Sequence, residues 1–134
     1  MGTGELLVPN VPDKVQEPDF RASVSMGAYT CVYFNGSGKF GLSQPGALST
    51  MPSIGIAKAN VPSGQIGTIH NLGDIAISNL VFSGFEGNKI FVGTSSQIVM
   101  SSPINSGECV QTIGQITSPT SVYIMPEPFF VQIG

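Results

Sequence analysis

Acid–base or nucleophilic chemistry would have to use very few side chains in this sequence. The chain has one histidine, His70, and Asp74 follows it four residues later. A Ser-His-Asp arrangement would need both residues and a serine that no G-x-S-x-G motif identifies. Asp74 and Glu86 are the candidates for a pair of carboxylates, but nothing in the sequence brings them together. We therefore predict that the protein is not an enzyme.

Metal, phosphate and redox sites lack their usual residues as well. One histidine and two distant cysteines, Cys31 and Cys109, are a poor ligand set for zinc. The stretch "GSGKF" (36–40) lacks the upstream glycine and the trailing Ser or Thr of a P-loop. The N-terminus has no basic start followed by an apolar core, so we expect no signal peptide and two free thiols. No cofactor and no metal are predicted.

The composition excludes two classes of partner. Charged residues make up 10% of the chain, against about a quarter in an average domain. The five Lys and Arg residues are scattered singly and the formal net charge is -3, so no basic stripe is available for nucleic acid. No apolar run approaches the length of about 18 residues that a membrane span needs. We expect neither nucleic acid nor a membrane as partner.

Short strands separated by turns account for most of the sequence. Apolar, β-branched and aromatic runs recur at a spacing of roughly ten residues, and Gly, Pro, Asn and Ser separate them. The chain has 17 Gly and 10 Pro, and no segment keeps a helical period. The predicted fold class is all-β: a compact β-barrel or β-sandwich of short antiparallel strands. We assign residues 21–134 to a single domain.

Residues 1–20 differ from the rest of the chain. They contain three prolines and four of the eight acidic residues, and they show no periodicity. We predict an extended N-terminal arm. Its apolar patch Leu6, Leu7 and Val8 suggests an arm that docks on a neighbouring subunit. The alternative is a poorly ordered terminus.

The domain contains one sequence plan twice, in residues of about 32–69 and 90–124. "VYFNGSGKFGLS" (32–43) parallels "IFVGTSSQIVMS" (90–101), and Ile54-Gly55 corresponds to Ile113-Gly114. The offset is 58 to 59 residues, and we expect it to hold throughout. We predict two similar halves, with a repeated bend at the mid-strand glycines. The alternative is a chance likeness between glycine-rich β sequences.

Four stretches carry a resemblance to a known family. They are "VYFNGSGKFGLSQPGA" (32–47), "SIGIAKANVPSGQIGTI" (53–69), "KIFVGTSSQIVMSSP" (89–103) and "CVQTIGQITSPTSVYIMPEPFFVQIG" (109–134). Together they resemble small phage virion proteins of the head-decoration or head-fibre type, with related modules in tail fibres. The resemblance covers about four-fifths of the chain. The segment between the halves carries Phe82 and Phe85 but not the tryptophan that many members have.

The resemblance implies a structural role in the virion. It implies a decoration or cement protein that binds the outer capsid surface, contacts the major capsid protein, forms a homotrimer and assembles in the host cytoplasm. The predicted contact residues, to capsid or to another subunit, are Leu6, Leu7 and Val8 of the arm and the exposed loop aromatics Phe82 and Phe85. The alternative is a head-fibre or tail-fibre module that binds a host surface or glycan.

Overall fold

The computed structural model describes residues 21–36, 38–77 and 81–134. The predicted arm, with Leu6, Leu7 and Val8, lies outside the described residues. The described residues are built from short strands, as predicted, and their helical content consists of single 3-10 turns at Leu48–Thr50 and Thr94–Ser96.

In chain order the strands are β1 (Cys31–Phe34), β2 (Phe40–Leu42), β3 (Gly55–Ala57), β4 (Ile69–His70), β5 (Gly73–Ala76), β6 (Lys89–Val92), β7 (Ile98–Val99), β8 (Cys109–Val110), β9 (Thr112–Ser118), β10 (Ser121–Ile124) and β11 (Val131–Gln132).

The described strands form three open antiparallel sheets. Sheet 1 has the order β2-β1-β3-β4, and sheet 2 has the order β5-β10-β9-β6-β7. Strands β8 and β11 make a separate two-stranded ribbon. In the part of the chain that the structure describes, no sheet closes into a barrel, so the barrel alternative is wrong and the all-β prediction is confirmed.

Both larger sheets follow one plan, which confirms the two similar halves. Reading β2-β1-β3-β4 against β7-β6-β9-β10 gives the same order of hairpin, inner strand and closing strand. The registers agree residue by residue. Val32 pairs with Gly55 as Ile90 pairs with Gly114. Strand β5 then extends sheet 2 beyond its closing strand.

The sequence offset does not hold throughout, contrary to expectation. The closing strands are equivalent at Ile69 and Val122, which are 53 residues apart. The difference lies in the connection before each closing strand. Residues 58–68 form a long loop in the first half, whereas the corresponding residues 117–121 are the end of β9, the two-residue turn 119–120 and the start of β10. The longer loop has a structural use, because Val61, Gly64 and Gln65 form backbone hydrogen bonds with the start of the domain.

Gly55 and Gly114 are needed because the closing strand passes very close to them. A Cβ atom on Gly55 would lie 2.7 Å from the carbonyl oxygen of His70. On Gly114 it would lie 2.1 Å from the carbonyl oxygen of Tyr123, the residue equivalent to His70. The register of β9 against β6 also shifts between Thr112 and Gly114. The repeated Ile-Gly pair therefore permits a close backbone approach in both halves.

Sheet 1 is the middle layer of the molecule, because it is buried on both faces. Successive residues of a strand point to opposite faces. Cys31 and Ile56 lie on one face, within the main hydrophobic cluster that sheet 2 also builds. Val32 and Ala57 lie on the other face, within a second cluster. This explains why every residue of β3 is buried.

Sheet 2 packs on sheet 1 with both sheets facing the same way, like two copies of one layer in a stack. The side chains of sheet 2 that enter the main cluster are equivalent to those that sheet 1 turns away from it. The equivalent pairs are Ile90 and Val32, Ile98 and Phe40, and Ile116 and Ala57. The stack therefore has two different ends, one on each outer face.

The outer face of sheet 1 is covered by the start of the domain. Ala22 and Met26 are 1% and 3% exposed and pack in the second cluster. The N–H of Met26 donates to the carbonyl oxygen of Val61 at 2.8 Å, and the N–H of Val61 donates back at 2.9 Å. We call residues 21–26 together with the long loop 58–68 the cap.

A buried side chain links the two halves by hydrogen bonds. Gln111 is 1% exposed. Its Oε1 accepts from the N–H of Ser53 at 2.7 Å, and its Nε2 donates to the carbonyl oxygens of Ser53 at 2.8 Å and Glu127 at 2.7 Å. The Ser53 hydroxyl in turn donates to the carbonyl oxygen of Val32 at 3.0 Å. The amide of Gln111 thus satisfies backbone groups that water does not reach.

Replacing Gly114 with alanine should lower the free energy of unfolding by about 3 kcal/mol, because the new methyl group has no space beside Tyr123. Gly55→Ala, with a less severe overlap, should lower it by about 2 kcal/mol. Urea unfolding of the two variants measures both values.

The matched control is Gly46→Ala, since a Cβ atom there would meet nothing within 4 Å. We expect it to change stability by less than about 0.5 kcal/mol. Equal losses in all three variants would contradict the close-approach explanation.

Candidate functional site

The candidate acid–base residues His70 and Asp74 have different hydrogen-bond partners. The half-buried His70 places its Nε2 2.8 Å from the carbonyl oxygen of Gly73, across the tight turn between β4 and β5. Asp74 accepts a hydrogen bond from the hydroxyl of Thr117 at 2.8 Å, on the outer face of sheet 2. No described hydrogen bond joins His70 to Asp74, so the pair has separate local partners.

Glu86 also has a local partner. Its Oε1 accepts from the N–H of Gly84 at 3.0 Å and supports a turn. No described contact joins it to Asp74. Within the described ranges, no group of three or more His, Cys, Asp or Glu side chains is placed to hold a metal ion.

The two cysteines are free thiols, as expected, and both are fully buried. Both belong to the cluster between the sheets. Burial disfavours the thiolate, and it raises the pKa of Cys31 to about 12. Burial also raises the pKa of the Cys109 thiol above its usual value of 9.0. Neither sulfur has the exposure that a reactive thiol needs.

Phe82 and Phe85, in the segment between the two halves, have different environments. Phe82 is 3% exposed and packs in the main cluster. The prediction that it is an exposed loop aromatic is therefore wrong. Phe82 is buried because its segment packs on sheet 2, where the N–H of Phe82 donates to the carbonyl oxygen of Pro119 at 2.8 Å. Phe85 is 44% exposed, as predicted.

An apolar groove lies beside Phe82. It holds about 580 Å³ and is bounded by β7, the loop that follows β7, and Pro45 in the loop after β2. Val81 and Ile104 on its rim are 74% and 82% exposed, and Met100 is 38% exposed. Its charged lining residue is Glu108, whose Oε1 accepts from the N–H of Asn105 at 2.9 Å. This groove fits apolar side chains better than a charged ligand.

The groove cannot be recognised from the sequence, because its walls come from distant segments. Pro45, Val81 and Ile104 are brought together by the packing of the two sheets. The one local signal was the run from Ile98 to Ile104, in which apolar residues continue past the end of the hairpin into a loop.

A smaller depression lies on the outer face of sheet 2. It holds about 210 Å³ above Gly114, and Tyr123 and Met125 form its apolar part. These side chains are 39% and 58% exposed. The other lining groups are Lys89, Thr112, Gln115 and Glu127. Among the described residues, the Lys89 amine, the Thr112 hydroxyl and the Glu127 carboxylate have no hydrogen-bond partner.

The ribbon of β8 and β11 presents an exposed edge. Within the described chain β11 pairs with β8 alone, so its second edge is open. Val131 on this strand is 65% exposed, and Phe129 just before it is 61% exposed. An open strand edge with apolar side chains is a template for pairing with another chain.

The buried thiols predict a fall in stability at alkaline pH. Above pH 9 the unfolded chain releases the proton of Cys31, whereas the folded chain keeps it until about pH 12. The free energy of unfolding should therefore decrease as pH rises from 9 toward 12, by at most about 1.4 kcal/mol per pH unit for each cysteine. Urea unfolding at a series of pH values measures the slope.

The control is the variant in which Cys31 and Cys109 are both alanine. It should be less stable at pH 7 but should show a shallower decline above pH 9. An identical decline in both proteins would show that other groups cause it.

In the described part of the chain, no helix combines the length and the apolar character that crossing a membrane requires. Comparison with known proteins found no match: no family model, no curated protein and no solved structure is similar to this chain. The resemblance to phage virion proteins therefore remains a prediction from the quoted motifs.

Proposed function

We propose that this protein is a structural component of a phage virion that binds the outer surface of the capsid and stabilises the shell. The observation that carries this proposal is the set of large apolar side chains that the folded domain leaves exposed around the groove and the β11 edge. Monomeric soluble proteins rarely leave extensive apolar patches uncovered, and such patches mark protein–protein contacts.

The chemistry of the described residues supports binding rather than catalysis. His70, Asp74 and Glu86 each have a separate local partner, and both thiols are buried. A cement protein works through buried area and backbone pairing, which need an apolar surface and an open strand edge. Its partner in this proposal is the major capsid protein, and a homotrimer would match a local three-fold axis of the shell.

We assign the capsid contact to β11 and the residues before it. Phe129 and Val131 would cover apolar surface on a capsid subunit, while the open edge of β11 would pair with a strand of that subunit. The exposed Phe85 and the arm, with Leu6, Leu7 and Val8, are further candidates for contact with the capsid or with another subunit. The location that follows is the capsid surface, after assembly in the host cytoplasm.

Substituting Val131 with aspartate should weaken binding to purified empty capsids at least tenfold, because a carboxylate would lose its water in the contact. Co-sedimentation with capsids measures the bound fraction.

Deleting residues 1–19 should abolish capsid binding in the same assay, while the thermal unfolding midpoint of the domain stays unchanged.

Leu72→Asp is the matched control, since Leu72 is 62% exposed in the turn between β4 and β5. We expect this variant to bind capsids normally. Equal binding by Val131→Asp and the unaltered protein would remove β11 from the contact, and absence of any binding by the unaltered protein would overturn the cement function.

A second candidate function is recognition of a host surface glycan by a head-fibre or tail-fibre module. The depression above Gly114 favours it, because an exposed tyrosine ring beside unpaired polar groups fits a sugar ring and its hydroxyls. In this case Tyr123→Ala should reduce retention of the protein on host cells at least tenfold.

The control for the glycan test is Phe85→Ala, since Phe85 has a similar exposure of 44% and lies away from the depression. If both variants are retained on cells as well as the unaltered protein, the depression is not a glycan site.

A further inference from the structure

The apolar groove beside Phe82 has no described segment of its own chain to cover it. Its rim residues Val81 and Ile104 are among the most exposed large apolar side chains of the domain. Leaving such side chains in water costs the free energy that burial would provide, roughly 1.5–3 kcal/mol for each one fully buried. Burying these rim residues therefore requires an apolar occupant that presents several side chains at once.

The chain itself contains a segment that fits this requirement. Among residues 1–20, Leu6, Leu7 and Val8 are three consecutive large apolar residues, followed directly by Pro9. The remaining residues of this stretch are mainly polar, acidic or proline. A short apolar segment can present alternate side chains to a groove while its backbone stays accessible for pairing.

The length of the arm sets how far this segment reaches. Residues 9–20 separate it from the described domain. At about 3.3 Å per residue they span at most about 40 Å. A domain of this size has a radius of gyration of about 13 Å, so the segment can reach a groove on a neighbouring molecule.

The position of Arg21, where the described chain begins, favours binding of the arm to the groove of a neighbouring molecule over binding to its own groove. The carbonyl oxygen of Arg21 accepts from the N–H of Phe40 at 3.0 Å, and Arg21 also bridges to Ile66 in the cap. The cap lies on the outer face of sheet 1, whereas the groove lies along β7 in sheet 2. To reach its own groove, the arm would have to turn back from the outer face of sheet 1 and pass the edge of that sheet.

We propose that the groove binds Leu6, Leu7 and Val8 of a second copy of this chain. Each subunit would give its arm to one neighbour and receive an arm from another. Such a head-to-tail contact closes into a ring when the rotation between subunits is a simple fraction of a turn, as in a trimer. The inference rests on the proposed function for the trimer, but its test needs no capsid.

The decisive experiment is disulfide trapping between two differently tagged chains. One chain carries Leu7→Cys and the other carries Ile104→Cys, and the two are co-expressed, purified together and mildly oxidised. The native cysteines are fully buried and do not compete. We expect a covalent species that contains both tags on a non-reducing gel.

The control replaces Ile104→Cys with Phe34→Cys, which places a cysteine at a 46% exposed apolar position on sheet 1. We expect at least a tenfold lower yield of the mixed species. Equal yields with both partners, or no mixed species, would overturn the proposal. The proposal would also be overturned if a chain that carries both Leu7→Cys and Ile104→Cys formed an intramolecular disulfide while the mixed sample formed none.

Sedimentation equilibrium provides an independent readout. The unaltered protein should sediment as a trimer, and Ile104→Asp should sediment at the mass of the 13.9 kDa chain. Because Ile104 is 82% exposed, the substitution leaves the core intact, and a circular dichroism spectrum checks this. An Ile104→Asp protein that remains a trimer would contradict the arm-in-groove contact, while capsid binding would stay a separate question.

Discussion

The contact between the two sheets is the constraint on which the rest of the structure depends. Sheet 1 alone would expose Cys31 and Ile56, and sheet 2 alone would expose Ile90, Ile98 and Ile116. None of these side chains is more than 8% exposed once the sheets pack. Gln111 fixes how the two sheets are placed along each other, because its side-chain amide pairs with the N–H and the carbonyl oxygen of Ser53. A shift of one sheet along the other would leave these buried groups unsatisfied.

The stacking of two sheets that face the same way explains why two similar halves have different residues at equivalent positions. Cys31 and Ile56 face the partner sheet, and their counterparts Lys89 and Gln115 face solvent. The backbone plan and the close-approach glycines are the same in both halves because strand geometry requires them. The side chains differ because each sheet has a different neighbour.

Much of the fold was accessible to sequence reasoning. The two-residue alternation, the turn residues and the repeated Ile54-Gly55 and Ile113-Gly114 pairs predict an all-β chain with two similar halves. These features are local. The barrel alternative, the constant offset and the exposure of Phe82 were wrong, since strand closure, loop length and the burial of a loop residue depend on distant contacts. The groove was not found for the same reason, and the arm that we assign to it was recognised from its apolar patch alone.

The unequal ends of the stack have a consequence for how the protein behaves at high concentration. A layer that packs on its own copy could in principle add a third and a fourth layer from other molecules, and so grow into a filament. One end is closed by the cap, in which Met26 and Val61 pair through their backbones. The other end carries Lys89 and Gln115 at the positions where Cys31 and Ile56 contact the next layer, beside the exposed Tyr123 and Met125. Growth is therefore opposed by the cap at one end and by the two polar side chains at the other.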